Sequence, residues 1–201
     1  MRVRALVAVI ILLFGAAPPL FSYRLLYKEQ LYELYHRQFY DPPLNLNENI
    51  YWLERAVRAD FANPQHALAR IETEEDWERY RYLFNMHLNL KLTELYLAWA
   101  NRFNKEEAYF YNYPWTDLNL ESLERAEDLF HYALLYWDEA KVWSQRAFEM
   151  RTVELERVQH WVDQSYRIET GELDYERIIN RHLERLYNVR EDFMDMDADT
   201  Y

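Results

Sequence analysis

Residues 73–103, TEEDWERYRYLFNMHLNLKLTELYLAWANRF, form the longest periodic stretch of the chain. Thr73 followed by Asp76 is a capping pair that marks the start of a helix. Beyond it, apolar and aromatic side chains recur at the three-and-four spacing that places them along one stripe of a helix. The stripe contains Trp77, Tyr80, Phe84, His87, Leu88, Leu92, Leu95 and Trp99. These residues predict a long amphipathic helix that ends near Phe103 and packs against other helices.

The segments on both sides of this helix are also helical in pattern. Asn45 with Glu48 marks another start, and Gly171 is placed to close a helix as its C′ residue. The predicted helices cover about residues 23–39, 46–59, 67–69, 73–103, 119–136, 138–168 and 173–189. No segment alternates with the period of two that a half-buried strand requires. The predicted fold is therefore all-α, built from antiparallel helix pairs in one domain at 23–190 and followed by an acidic tail at 191–201.

Two segments resemble the second helix of a tetratricopeptide repeat. One contains small residues that let paired helices approach, in the pattern Ala126-x₃-Phe130-x₂-Ala133-Leu134. The other is residues 53–64, LERAVRADFANP, where the helix runs into a turn. Phe61 and Trp137 stand where that family has its turn proline, and the two copies are not separated by a multiple of about 34 residues. The resemblance implies stacked helix pairs that bind other proteins, and an unrelated helical bundle is the alternative.

The N-terminus combines a basic start with an apolar stretch. Arg2 and Arg4 precede residues 5–21, which carry no charge, and this order is typical of an export signal. Pro18 directly follows the small residues at which a signal peptidase would cut, which argues against cleavage. We interpret residues 1–22 as an uncleaved signal-anchor, a transmembrane helix that spans the inner membrane once and leaves the body in the periplasm or otherwise outside the cytoplasm. A cleaved signal peptide and a buried helix of a soluble domain are the alternatives.

Composition excludes several kinds of chemistry. The chain has no cysteine, and beyond residue 22 its one glycine is Gly171, so thiolate sites and glycine-rich phosphate loops are excluded. A net charge of −12 argues against nucleic-acid binding, which needs clustered lysine and arginine. The six histidines include no H-x₃-H pair, and Asp128 with His131 is better explained as a surface pair than as half of a di-iron site. We therefore predict no catalytic, cofactor-binding or metal-binding residue, and we do not expect an enzyme.

The one long irregular connection, residues 104–117, contains an unusual aromatic run. It reads Tyr109-Phe110-Tyr111-Asn112-Tyr113-Pro114-Trp115. Tyrosine and tryptophan offer a large contact area with few rotatable bonds, and protein interfaces favour them. The predicted partner-binding residues are Tyr109, Tyr111, Tyr113 and Trp115. The alternative is that these rings fold back and fill a gap between helices.

Together these features predict a membrane-anchored, exported helical scaffold that mediates protein–protein interactions. Its partners would be the membrane, through the N-terminal segment, and other proteins of a membrane-associated complex, and a homo-oligomer is compatible with this prediction. The architecture is similar in outline to components of bacterial envelope assemblies, including the periplasmic collar of some flagellar motors. The alternative is a helical module that binds a lipid, a peptide or a glycan through its aromatic side chains.

Overall fold

Helices make up the regular secondary structure in the computed structural model, which describes residues 25–38, 45–197 and 199. They run in the order α1 (Lys28–Gln38), α2 (Leu46–Arg58), α3 (Glu74–Phe103), α4 (Thr116–Glu149), α5 (Gln159–Glu169) and α6 (Tyr175–Met194), with 3₁₀ turns at Pro64–His66 and Phe110–Trp115. Within the described ranges no strand forms, and an isolated β-bridge joins Tyr27 to Asp60. The all-α prediction is confirmed.

The central helix of the domain is α3. Its N-terminus is fixed as the sequence predicts, because Thr73 Oγ1 accepts a hydrogen bond from the Asp76 N–H at 3.1 Å and the Asp76 carboxylate accepts one from the Thr73 N–H at 2.9 Å. Every residue in 83–90 is buried, since α2, α4 and α5 all pack against this helix. The prediction of a single apolar stripe is therefore too narrow, because other helices cover the middle of α3 on all sides.

The helix α4 runs without a break through residues 137–138, where the sequence pattern predicted that one helix ends and another begins. No proline or glycine interrupts it there, and Trp137 is buried as part of a continuous helix. The break comes instead at residues 150–158, where buried Leu155 and Val158 hold the connection against the domain. Because this connection contains neither glycine nor proline, tertiary contacts rather than a local breaker define it.

The predicted C-terminal end of α5 is confirmed. Gly171 has φ of +74°, a left-handed conformation that glycine adopts without strain. Its N–H donates to the Ile168 carbonyl at 3.1 Å, and the Leu173 N–H donates to the Arg167 carbonyl at 2.9 Å. These two bonds satisfy carbonyl groups at the end of α5 and turn the chain towards α6.

Other predicted boundaries differ from the structure. The helix α4 begins at Thr116 instead of Asn119, and the 3₁₀ turn at Pro64–His66 replaces the short helix predicted at 67–69. The last helix continues to Met194 because Phe193 packs in the core with 1 % exposure. The predicted acidic tail at 191–201 therefore starts inside α6.

The predicted membrane segment at residues 1–22 lies outside the described residues. Among the helices that the structure does describe, none combines the length and the apolar character needed to cross a bilayer. Ala126, Phe130 and Ala133, which carry part of the resemblance to tetratricopeptide repeats, are fully buried on α4. Such burial is expected of any helix-packing face, so the repeat relationship stays a prediction.

Candidate protein-interaction surface

The aromatic run forms a 3₁₀ turn that leads directly into α4. The Asn112 side chain accepts a hydrogen bond from the Tyr109 N–H at 3.2 Å, and the Asn112 N–H donates to the Tyr109 carbonyl at 2.8 Å. At the other end, the Thr116 hydroxyl donates to the Tyr113 carbonyl at 2.9 Å. Pro114 has no N–H to satisfy. These local bonds hold the backbone in a turn without drawing the rings into the core.

Most of the rings in this turn face solvent. Tyr109 and Tyr111 stack on each other with ring centroids 5.2 Å apart and an interplanar angle of 5°. We use the name aromatic surface for five residues and give their exposed fractions here: Tyr109 46 %, Phe110 62 %, Tyr111 50 %, Trp115 55 % and Leu118 63 %. Tyr113, the fourth predicted contact residue, is half-buried. The alternative in which these rings fill a gap between helices therefore does not describe Tyr109, Tyr111 or Trp115.

Two residues of the aromatic surface were not among the predicted contacts. Phe110 lies in the same run, but the prediction selected tyrosine and tryptophan for their amphipathic character. Leu118 follows the run, and its position could have been found only by placing the start of α4 at Thr116 rather than Asn119.

The surroundings of the aromatic surface are acidic. Glu106, Glu107, Asp117 and Glu121 flank it in the sequence with exposed side chains, whereas Lys105 is half-buried. A hydrogen bond to the Glu107 carboxylate raises the pKa of the Tyr109 hydroxyl. The arrangement combines apolar rings, hydroxyl groups and negative charge, which suits contact with a positively charged protein segment.

Comparison with known proteins places most of these helices in one family. A family model described as a domain of unknown function, DUF8513, matches residues 75–196. The chain belongs to the DUF8513 family. The DUF8513 region extends from the first turn of α3 to just beyond α6 and includes the aromatic surface, whereas α1 and α2 precede it. A search of curated proteins and a search of solved structures gave no match.

Two adjacent buried charged residues, Lys28 and Glu29, connect α1 to the end of α2, outside the DUF8513 region. The Lys28 ammonium donates to the Ala56 carbonyl at 3.0 Å and also to the Val57 carbonyl, near the C-terminus of α2. The Glu29 carboxylate accepts a hydrogen bond from the Ala62 N–H at 2.9 Å. Burial lowers the pKa of Lys28 to about 8 and raises the pKa of Glu29. Sequence reasoning missed this pair because Lys28-Glu29 looks like any solvated charge pair on a helix.

His87 joins α1 and α5 to the central helix of the DUF8513 region. Its Nδ1 lies 2.8 Å from Gln164 Oε1, and its Nε2 lies 2.9 Å from the Tyr32 hydroxyl. With Nδ1–H donating to the amide oxygen, Nε2 accepts from the hydroxyl. The ring also stacks on Trp161 with centroids 5.1 Å apart. Both ring nitrogens of this histidine are therefore hydrogen-bonded, and they link three helices inside the aromatic core.

The structure does not bring Asp128 and His131 together with further metal ligands among the described residues. Asp128 and His131 are both exposed on α4. In the part of the chain that the structure describes, no group of three or more histidine, aspartate or glutamate side chains is arranged to hold a metal ion. The aromatic surface is the feature of this region that most resembles a binding site.

Proposed function

We propose that this protein is an interaction scaffold whose aromatic surface binds a basic segment of a partner protein. The observation that carries the proposal is the stacked and exposed Tyr109–Tyr111 pair, beside exposed Phe110, Trp115 and Leu118. Exposing so many large rings together is unfavourable in water. Hydroxyl-bearing rings are also the side chains most often found at the energetic centre of protein interfaces.

The charge around the aromatic surface favours a cationic protein segment over an anionic lipid surface. Glu107, Asp117 and Glu121 would repel lipid phosphates but attract lysine and arginine, whereas Glu106 already lies 4.0 Å from Arg185 of α6. Arginine and lysine also interact well with the faces of tyrosine and tryptophan. The proposed partner segment therefore carries basic residues interspersed with apolar ones.

The N-terminal sequence supports a membrane location for this scaffold. A basic start followed by the uncharged residues 5–21 is consistent with a membrane anchor that holds the helical body at the outer side of the inner membrane. In that setting the protein would serve a bacterial envelope assembly, and a periplasmic flagellar component is one such assembly. The resemblance of two segments to tetratricopeptide repeats is consistent with this role.

The test is site-specific cross-linking in cells that express the full-length protein. A photoreactive phenylalanine replaces Tyr111, and the cross-linked peptide of the partner is identified by mass spectrometry. We expect one partner segment with several lysine or arginine residues, and loss of the cross-link when Tyr109 and Trp115 are changed to alanine. Tyr166→Ala is the matched control, since Tyr166 is equally exposed at 54 % but lies on α5. Cross-links of equal yield in all variants, or only to acidic segments, would refute the proposal.

A second candidate function is the binding of a small ligand beside α1 and α5. It is favoured by a cavity of about 270 Å³ whose lining includes Tyr32, Leu68, Val158 and Trp161. An apolar or aromatic ligand in this cavity would change the fluorescence of Trp161, and Trp161→Phe would remove that change. Saturable quenching that persists in the variant would contradict this candidate.

A further inference from the structure

A buried arginine on α3 has one side-chain N–H group without a hydrogen-bond acceptor among the described residues. Arg79 is only 3 % exposed, and its Nε has no hydrogen-bond partner among the described residues. A guanidinium group stays charged at every physiological pH and carries five N–H donors. Leaving such a donor buried and unpaired costs free energy, so the buried Nε of Arg79 points to an acceptor that the described residues do not supply.

A cavity adjoins Arg79. Its volume is about 420 Å³, and it lies between α3, the connection at residues 150–158 and the first turn of α5. The charged and polar residues that line it are Arg79, Arg151, Glu154, Glu156, Arg157 and Gln159. Three guanidinium groups therefore meet two carboxylates, which leaves the lining with an excess of positive charge in a protein that is strongly acidic as a whole.

The backbone brings Arg157 to this cavity in an unfavourable conformation. Arg157 has a φ of +71°, and among the described residues no other non-glycine residue has a positive φ. Residues other than glycine and asparagine adopt this backbone conformation at a cost in free energy. Strained residues of this kind are found most often at functional sites. Arg157 and Arg79 therefore line the same cavity from different elements.

We propose that this cavity binds a small anion, a phosphate or carboxylate group, with Arg79 as its buried donor and Arg157 as a second cation. The fork of a guanidinium matches the paired oxygens of both groups. Glu154 lies close enough to act on Arg79 electrostatically, but its side chain is exposed to solvent. The terminal nitrogens of Arg79 are therefore the donors that a ligand in the cavity can reach.

The experiment is calorimetric titration of the full-length protein, in mild detergent and low salt, with inorganic phosphate and with succinate. We expect saturable binding of at least one of these probes and a loss of at least tenfold in affinity for Arg79→Met. Arg157→Gly should weaken binding several-fold while keeping the fold, since glycine adopts the positive φ without strain. Glu154→Gln should strengthen binding because it removes a competing carboxylate. Arg125→Gln removes one positive charge near Phe103, at the opposite end of α3, and should leave the affinity unchanged.

The outcomes separate cleanly. Absence of saturable binding, or equal affinity in wild type, Arg79→Met and Arg157→Gly, would overturn the proposal. If Arg79→Met does not fold, opposite changes in Arg157→Gly and Glu154→Gln still support the site, and no change in either of them overturns it. A parallel titration with phosphatidylglycerol vesicles distinguishes the source of the anion. Vesicle binding that depends on Arg79 assigns the site to a lipid headgroup, whereas binding of the free anion alone assigns it to a soluble ligand.

Discussion

Lys28 is a cation that folding removes from water, and it should make stability depend on pH. Burial lowers its pKa from 10.5 in the unfolded chain to about 8 in the folded protein. Between these values the unfolded state binds more protons, so the free energy of unfolding rises with pH. We expect a rise of about 1 kcal/mol between pH 7 and pH 9. The measurement is urea denaturation at intervals across this range.

Above about pH 9.5 the sign of the effect reverses. Burial raises the pKa of four tyrosines that make hydrogen bonds to carboxylates: Tyr80, Tyr96, Tyr136 and Tyr175. These groups keep their protons in the folded state when the unfolded chain has begun to lose them, so stability falls as pH rises further. Lys28→Met is the control, because it should abolish the rise between pH 7 and pH 9 and retain the fall at higher pH. A rise of the same size in Lys28→Met would show that another group is responsible.

At the scale of elements, two helix starts that look alike in sequence should differ in energy. Thr73 caps α3 through a reciprocal pair of hydrogen bonds with Asp76, whereas Asn45 stands at the N-cap of α2 and makes no side-chain capping bond. We expect Thr73→Ala to cost about 1 kcal/mol of unfolding free energy and Asn45→Ala to cost much less. Chemical denaturation of both variants measures the difference. Equal losses would mean that Asn45 does cap α2 in solution.

The same contrast shows what a sequence can and cannot predict. The capping pair at Thr73 and the glycine at 171 act through their own backbone neighbourhood, so both were read correctly. The connection at residues 150–158 contains no glycine or proline, and it depends on burial of its own Leu155 and Val158 against helices that are distant in the sequence. The two proposed binding sites differ in the same way. An aromatic run is visible by residue type, but the cavity at Arg79 exists only because residues 151–157 return to α3.

At the scale of the whole molecule, the family region and the folding unit have different boundaries. The DUF8513 match begins at residue 75, yet α1 and α2 cover one side of α3. Tyr32 of α1 packs edge-on against Phe84 with ring centroids 5.3 Å apart. Glu54 of α2 accepts hydrogen bonds from the hydroxyl groups of Tyr96 and Tyr136, both at 2.8 Å. The first two helices therefore complete the core that the family region begins.

A fragment of residues 75–196 should consequently fold poorly on its own. Removing α1 and α2 exposes Phe84 and its buried neighbours and leaves Tyr96 and Tyr136 without their shared acceptor, and uncovered apolar area costs about 25 cal/mol per Å². We expect residues 25–201 to unfold cooperatively on heating, and the shorter fragment to keep helical circular dichroism but lose cooperativity and bind a hydrophobic dye. Glu54→Gln in the longer fragment separates the two causes, because it weakens the shared acceptor and leaves the apolar cover in place. If residues 75–196 unfold cooperatively with an undiminished midpoint, the family region is the autonomous unit and α1 and α2 are additions to it.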